Sequence, residues 1–505
     1  MSYLKKFNLN LIYSLIVIFI AVIIYFLLNY FRHWTSFLDQ EFTLIYNSLL
    51  LNSGIKAEFF WHPGHSIILL TSLWLDFLNL INLIDFSDFN SVKENPNSIK
   101  KIIFFGKFIN LIILLLFTFL ITKLFRLFSS NNFYIFLFTV IFLISSSVIF
   151  SVSQIRTEFL SSLMIYACFY CLLKFTKTNK SFRKYIFLSG FFFTLSIFSK
   201  FQSIFIFSFF PFIILILSPK KEIEFKSFNF EDNNYFNFSL LFLLVPILIV
   251  WLKYSSGINL LFIPLSIMYF ALFVKFLTFF YFSKTSYYFK FFIYFLLGCI
   301  FSFIFLFILK PFNTNNINVI LNSFGMTSMF VQGTNPYEFS FLNLKSLVIE
   351  SFFGFISYVK IIFTEFKVES YLFIFAFFLS IYLFLKQDKK YLFHTFVISC
   401  ILFLIIFLFS SRPVPQYTIY FFPIILLFAF NTFIIIKNKF LPYIFLISIF
   451  FVGVLDANAF IKKNIFLEEK VKTCSEEYIN SEYTYMRQWH NQIDEFFLNS
   501  ICKND

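Results

Sequence analysis

The chain alternates long apolar runs with short polar segments, and this pattern predicts a bundle of transmembrane helices. An apolar run of about 17–25 residues is long enough to cross the hydrocarbon core of a bilayer. Such runs lie at 9–29, 102–128, 133–151, 159–175, 237–252, 258–282, 289–309, 391–409, 417–436 and 441–457. Segment 185–217 is too long for one span and predicts two short helices that meet at Lys200. With a shorter run at 371–385, the fold is predicted to be all-α, a polytopic bundle of about thirteen spans over residues 1–457.

Basic clusters between the apolar runs predict how the bundle is oriented, because cytoplasmic loops are enriched in Lys and Arg. Lys5 and Lys6 precede the first span. The other clusters are "KFTKTNKSFRK" (174–184), "PKKEIEFK" (219–226), "KQDKK" (386–390) and "KNK" (437–439). With thirteen spans, every cluster falls on the cytoplasmic side. We therefore expect a multi-pass protein of the bacterial inner membrane, with its N-terminus in the cytoplasm and its C-terminus in the periplasm.

Three long segments then lie on the outer face: a first outer loop (30–101), a second outer loop (310–370) and a polar C-terminal tail (458–505). Residues 66–84 and 347–366 are read as helices that lie in the outer membrane interface. The tail contains Cys474 and Cys502, which could form a disulfide in an oxidising compartment. If the span count is wrong by one, these cysteines are instead two unpaired thiols in the cytoplasm.

Composition agrees with a membrane protein. The 505 residues are 59% hydrophobic and 13% charged, with a mean hydropathy of +0.82. A soluble domain could not bury this much apolar surface. The net charge of +14 does not indicate nucleic-acid binding, because the basic residues form the inter-span clusters instead of one stripe.

Two acids, Asp39 and Glu41, directly follow the first span in a chain that has few acids. One interpretation makes Asp39 the N-cap of an amphipathic helix over 40–52, with Glu41 in its first turn and Gly54 ending it. The other makes Asp39 a general base at the outer membrane surface, where it would take a proton from an acceptor hydroxyl. The two interpretations are compatible.

Several cations and aromatic residues are predicted to lie on the same outer face as Asp39. Arg156 lies at the start of one span, Lys200 between two short helices, and Arg412 in a proline-containing turn that Tyr417 follows. Charges at the end of a span commonly reach water, which is the simpler reading of Arg156 and its neighbour Glu158. Together with one acid, however, these cations suit a substrate that carries a phosphate and a reacting hydroxyl.

A His pair in "WHPGHS" (61–66) completes the candidate residues. His62 and His65 are three residues apart and could share a metal ion. Two ligands without a third do not make a metal site. We therefore assign them to acceptor contact or packing in the first outer loop, predict no metal ligands, and leave open whether a divalent cation takes part.

Five segments in this order resemble the GT-C superfamily, the polytopic glycosyltransferases that use polyprenyl-phosphate sugars, including protein O-mannosyltransferases and the lipid A aminoarabinose transferase. They are "DQEFTLIYNSLLLNSG" (39–54), "WHPGHSIILL" (61–70), "IRTEFLSSLMIYACFYCLLKF" (155–175), "LSGFFFTLSIFSKFQSIFIF" (188–207) and "RPVPQYTIYFFPIILL" (412–427). The chain departs from the family pattern at Gln40, which separates the two acids, and at Gly64, which replaces a Pro.

This resemblance implies an inverting glycosyltransferase at the periplasmic face. Asp39, with Glu41 as its partner, would be catalytic. Arg412, Lys200, Arg156 and Tyr417 would bind the phosphate of a polyprenyl-phosphate sugar donor. The acceptor would be a glycan, a lipid or a protein, and membrane lipid would surround the donor tail.

Two other functions stay open. A membrane polysaccharide polymerase or ligase would carry its key arginines in the late outer loop, whereas residues 310–346 contain only Lys310 and Lys345 as basic residues. A lipid or solute transporter would bury charges within its spans or break paired helices. Lys107 and Lys275 are the candidate buried cations, and both could extend toward the interface instead.

Overall fold

The computed structural model describes helices in every part of the chain that it covers, and none of the described residues lies in a β-strand. The described residues are 2–30, 41–55, 58, 64–178, 182–200, 202–207, 210–217, 286–309, 341–386, 395, 415–436 and 440–470. The predicted spans at 237–252 and 258–282 lie outside them, as does the span at 391–409 except for residue 395.

The described residues up to 178 form nine helices. They are α1 (Ser2–Asn29), α2 (Thr43–Asn52), α3 (His65–Leu80), α4 (Phe89–Glu94), α5 (Ser98–Gly106), α6 (Phe108–Arg126), α7 (Asn132–Leu143), α8 (Ser146–Val152) and α9 (Thr157–Thr178). Eight more follow: α10 (Phe182–Ser199), α11 (Ser203–Phe207), α12 (Phe210–Leu217), α13 (Ser286–Leu309), α14 (Phe341–Glu365), α15 (Lys367–Leu385), α16 (Thr418–Ile435) and α17 (Phe440–Lys470).

The described residues make this a multi-pass membrane protein. Six segments are long and apolar enough to cross a bilayer: 11–29, 98–126, 157–176, 367–385, 418–435 and 442–462. The pair α7 and α8, bent by 57°, adds a seventh if it counts as one span. The total of about thirteen therefore stays a prediction.

Side-chain contacts give the relative directions of these helices. Helices α10 and α13 run the same way, because Arg183 lies 5.7 Å from the Tyr294 ring and Phe198 lies 5.7 Å from the Phe303 ring. Helices α7 and α16 are antiparallel, because the Tyr134 ring contacts that of Phe433 and the Phe142 ring contacts that of Phe422. Both directions agree with the alternation of spans predicted from the sequence.

The two ends of this bundle carry different residues. At one end lie Asn29, Arg156, Lys200 and Tyr417, which are connected by the contacts described below; we call it the Lys200 end. The other end contains the last residue of α6 and the first residues of α7 and α10, and we call it the Arg126 end.

Helices α10 and α13 cross at two glycines. A Cβ atom at Gly190 would lie 2.0 Å from the backbone oxygen of Phe295, and one at Gly298 would lie 2.0 Å from that of Phe187. Small residues at such a crossing let two backbones approach within van der Waals contact. The pair therefore fixes α13 against α10, the helix that ends at Lys200.

The span formed by α7 and α8 is broken at Ser145, whose backbone is extended (ψ 144°). The Ser145 hydroxyl donates to the carbonyl of Phe142 at 2.7 Å, and the Ser147 N–H donates to Glu369 Oε1 at 2.7 Å. A broken helix inside a membrane protein needs such partners for its backbone groups. The side chains of Ser145, which lies between α7 and α8, and of Glu369 in α15 supply them here.

The expected helix after the first span is present, but it is not amphipathic. All side chains from Thr43 to Leu51 in α2 are buried, because α3 and α4 pack against it and Gly106, at the end of α5, lies close to Ile45. The prediction that Gly54 ends this helix is confirmed: Gly54 has φ +69°, and the Ile55 N–H donates to the Leu50 carbonyl at 2.9 Å. This left-handed residue and its 6→1 hydrogen bond form a Schellman cap.

The two predicted interfacial segments both form helices. Helix α3 packs against α2, α5 and α10, while its C-terminal part exposes Phe77 and Leu80. In the second outer loop, α14 covers the predicted segment 347–366 and meets α15 at Phe366. That these helices lie in the membrane interface stays a prediction.

Candidate functional site

Glu41 and Lys107 form an ion pair inside the protein. Their Oε2 and Nζ atoms are 3.0 Å apart, and both side chains are buried. Lys107 lies between α5 and α6, and the neighbouring Gly106 brings α2 close, since a Cβ there would be 3.1 Å from Ile45. The expectation that Lys107 could extend toward the interface is wrong, because Glu41 holds its amine in the interior.

A second buried ion pair joins the first turn of α9 to the end of α10. Glu158 Oε1 lies 2.9 Å from Lys200 Nζ, and each side chain is 3% exposed. Lys200 does lie at a helix break, as predicted, because α10 ends at Ser199. The expectation that Arg156 and Glu158 reach water is wrong, because packing by neighbouring helices buries both.

Two serines align the helices that carry this pair. The Ser196 hydroxyl donates to the backbone oxygen of Ser161 at 2.7 Å, and the Ser161 hydroxyl lies 3.0 Å from the backbone oxygen of Ser196. The Ser161 hydroxyl also lies 3.3 Å from the Lys200 carbonyl. These bonds set the position of α10 along α9, so that Lys200 is level with Glu158.

Arg156 lies beside this pair and is buried. Its Nε donates to Gln154 Oε1 at 2.9 Å, its Nη1 donates to Gln416 Oε1, and its guanidinium lies 4.9 Å from the Phe150 ring. Two cations and one carboxylate leave Arg156, Glu158 and Lys200 with a combined formal charge of +1. The cluster therefore favours a negative charge nearby.

Tyr417 lies at the junction that brings Gln416 to Arg156. Residues 415–417 form one 3₁₀ turn before α16, and Tyr417 is buried with its ring 6.5 Å from that of Tyr420. The Tyr166 hydroxyl donates to the Tyr420 carbonyl, and the Ser162 hydroxyl donates to that of Ile419 at 2.9 Å. Helix α9 thus holds the start of α16 against the charged cluster.

His65 begins α3 and is buried against α10. Its ring lies 6.1 Å from that of Phe198, and the adjacent Ser66 hydroxyl donates to the Leu195 carbonyl at 2.9 Å. Burial lowers the pKa of His65 to about 3, so the imidazole is neutral near pH 7. Within the described part of the chain, no group of three His, Cys, Asp or Glu residues could hold a metal ion.

A shared carbonyl connects the first span to this region. The backbone oxygen of Val152, at the end of α8, accepts from Asn29 Nδ2 at 3.3 Å and from Asn110 Nδ2 at 3.2 Å. Asn29 ends α1, and Asn110 lies one turn after Lys107. The two ion pairs, Arg156 and the start of α16 are thereby gathered at the Lys200 end of the bundle.

The described residues that the sequence singled out, Glu41, His65, Arg156, Lys200 and Tyr417, all lie at the Lys200 end of the bundle. Direct contacts join Lys200 to Glu158, and Arg156 to Gln416, the neighbour of Tyr417. The other candidates, Asp39, His62, Arg412, Cys474 and Cys502, lie outside the described residues.

Sequence reasoning missed how the charges are paired. It did not assign Lys107 to Glu41 or Lys200 to Glu158, and it did not single out Glu369. The sequence contained one signal of this pairing: in each case an acidic and a basic residue lie near the same predicted end of adjacent spans. In a chain with so few charges, such a coincidence indicates a buried pair.

Comparison of the chain with models of known protein families, with curated proteins and with solved structures finds no significant match.

Proposed function

We propose that this protein is an integral membrane glycosyltransferase that moves a sugar from a polyprenyl-phosphate donor to an acceptor hydroxyl, with inversion at the anomeric carbon. The observation that supports the proposal best is the clustering of Glu41, Arg156, Lys200 and Tyr417 at one end of a transmembrane bundle. A lipid-linked donor needs its phosphate bound where the bundle meets the headgroup region and its tail among the spans. The Lys200 end offers cations at such a place.

Asp39 is the proposed general base. Only Gln40 separates positions 39 and 41 along the chain, so connectivity alone limits the distance between their Cα atoms to about 7 Å. Glu41 itself is paired with Lys107 and is buried. In this proposal Glu41 therefore anchors the segment, and Asp39 takes the proton from the acceptor hydroxyl as it attacks the anomeric carbon.

The proposed phosphate ligand among the described residues is Arg156. Lys200 is already neutralised by Glu158 at 2.9 Å, whereas the three-residue cluster keeps a formal charge of +1. A guanidinium held by Gln154 and Gln416 is oriented before substrate arrives. Such fixed donors stabilise charge that develops on a leaving group, here the polyprenyl phosphate. Arg412 stays a second candidate for this role.

The test is sugar transfer in purified membranes with radiolabelled polyprenyl-phosphate sugars. We expect Asp39→Asn to lower the rate by at least about a hundredfold, the scale for losing a general base. Asp85→Asn is the matched control, since Asp85 is an exposed acid of the same loop, paired with Lys101 at 3.1 Å. If Asp39→Asn transfers sugar as fast as the control, Asp39 is only a helix cap and the proposed base is wrong.

A second candidate, a lipid or solute transporter, is favoured by different observations. Two buried ion pairs and the span broken at Ser145 are features that transporters use to bind and move cargo. If the unmodified protein transfers no sugar from a broad panel of donors, substrate flux in proteoliposomes becomes the decisive assay. Flux that is lost in the double variant Glu158→Gln/Lys200→Met, in which neither isolated charge remains, would then support the transporter.

A further inference from the structure

A cavity of about 280 Å³ lies between α1, α6 and α7, away from the charged cluster. Its wall includes Leu115 and Arg126 of α6, which are 11 residues apart, so it extends for about 16 Å along that helix. On α1 it reaches Tyr13 and Ser14, and the Tyr13 ring stacks on that of Phe136 at 4.9 Å. The cavity thus begins at the Arg126 end and continues into the span region.

The deep part of the wall is suited to a hydrocarbon chain. Its three threonines, Thr118, Thr122 and Thr139, each donate their hydroxyl to the carbonyl four residues earlier, at 2.7–2.8 Å. These hydroxyls are therefore used within their own helices. The rim includes Ile18 and Phe119, which are 48% and 60% exposed and face the surroundings of the bundle. An acyl chain could enter sideways between these two residues.

The shallow part of the wall is cationic. Lys123 and Arg126 lie in the last turn of α6 and line the cavity, and no acidic side chain is among the described residues that line it. The Lys123 amine is 5.0 Å from the centroid of the Phe119 ring, at the lipid-facing rim. Two cations at the mouth of an apolar cavity match a molecule with an anionic head and an apolar tail.

We propose that this cavity binds one anionic phospholipid from the leaflet at the Arg126 end. Its phosphate lies between Lys123 and Arg126, and one acyl chain occupies the cavity along Leu115 and Thr118. The same cavity matches both parts of the lipid, because its cations at the mouth suit the phosphate and its apolar wall further in suits the acyl chain. The site is separate from the proposed transfer site, which lies at the Lys200 end.

Native mass spectrometry of the purified full chain tests this proposal, with phosphatidylglycerol and phosphatidylcholine of identical acyl chains as probes. We expect the unmodified protein to prefer phosphatidylglycerol. The double variant Lys123→Gln/Arg126→Gln should bind phosphatidylglycerol about 30-fold more weakly. Each cation near an anionic headgroup contributes about 1 kcal/mol, and about 1.4 kcal/mol corresponds to a factor of ten in affinity. Lys184→Gln is the matched control, because Lys184 is an exposed cation at the same end that does not line the cavity.

A cavity-filling variant tests the acyl chain separately. Ser14→Phe should weaken binding of both lipids about tenfold, the loss expected when about two methylene groups are displaced. If it changes neither affinity, no chain occupies the cavity. If the unmodified protein binds both lipids equally, or if the double variant matches Lys184→Gln, the headgroup site is refuted. Should the double variant fail to fold, the single variants Lys123→Gln and Arg126→Gln replace it, and the headgroup site is refuted if neither binds phosphatidylglycerol more weakly than Lys184→Gln does.

Discussion

The buried pair of Glu158 and Lys200 makes the sharpest prediction about stability. Both side chains are 3% exposed, and their charged atoms are 2.9 Å apart. Removing one partner leaves the other charge in the interior without its counterion. Breaking a buried pair in this way costs about 3–5 kcal/mol. We expect Glu158→Gln to reach the upper part of this range, because it leaves Lys200 next to Arg156, which has the same sign.

Lys200→Met should cost less than Glu158→Gln. The remaining Glu158 carboxylate keeps the Thr157 hydroxyl, which donates to its Oε2 at 3.1 Å, and the nearby charge of Arg156. In the double variant Glu158→Gln/Lys200→Met neither isolated charge remains. Replacing both members of a buried pair is often close to neutral. The double variant should therefore be more stable than Glu158→Gln by about 2 kcal/mol or more.

The assay is equilibrium unfolding of the purified protein in mixed detergent micelles, compared across the cycle of single and double variants. The surface pair Asp85 and Lys101 provides the control, because its side chains are 58% and 44% exposed. Asp85→Asn should change the free energy of unfolding by no more than about 1 kcal/mol. If the losses from Glu158→Gln and Lys200→Met simply add in the double variant, the two side chains do not interact and the reasoning is refuted.

Two further predictions concern packing and pH. Gly190→Ala places a methyl group 2.0 Å from the Phe295 oxygen, so α10 and α13 must separate. We expect a loss of about 1–3 kcal/mol in the same unfolding assay, and an unchanged free energy of unfolding would contradict the close crossing. The pKa of His65 is about 3 in the folded state and 6.5 in the unfolded state. Between these pH values the unfolded state binds more protons than the folded state. The stability therefore falls as the pH drops below 6.5. At pH 5 the loss should be about 2 kcal/mol, and His65→Leu should remove it. An identical pH dependence in His65→Leu would show that the imidazole is not buried.

The lengths of the apolar runs carried most of the fold prediction. The apolar runs anticipated the helices at 11–29, 98–126, 157–176, 418–435 and 442–462, because a segment surrounded by lipid must satisfy its backbone within one helix. The same argument did not anticipate the break at Ser145, because three consecutive serines, Ser145 to Ser147, leave the run 133–151 apolar enough to be read as one span. That break depends on Glu369 from a helix more than two hundred residues away, which accepts from Ser147.

The sequence predicted several residues of the candidate site, but it did not predict which charged residues form ion pairs. Span alternation alone placed Arg156 and Lys200 on the same face, and the structure brings both to the Lys200 end. The helix after the first span was expected to be amphipathic, but neighbours pack around it on all sides. A short apolar segment does not reveal whether lipid, water or protein will cover each of its faces.

What the sequence determined by itself is the helical class, the positions of most described spans and the relative directions of the two helix pairs α10 with α13 and α7 with α16. These follow from local length and hydropathy, because the bilayer leaves a backbone few alternatives. What only the tertiary structure decided is which charges are neutralised. Lys107 meets Glu41, and Lys200 meets Glu158, because helices distant in sequence are packed in register by serines and glycines. Burial of a charge depends on such non-local contacts, and a linear pattern does not contain them.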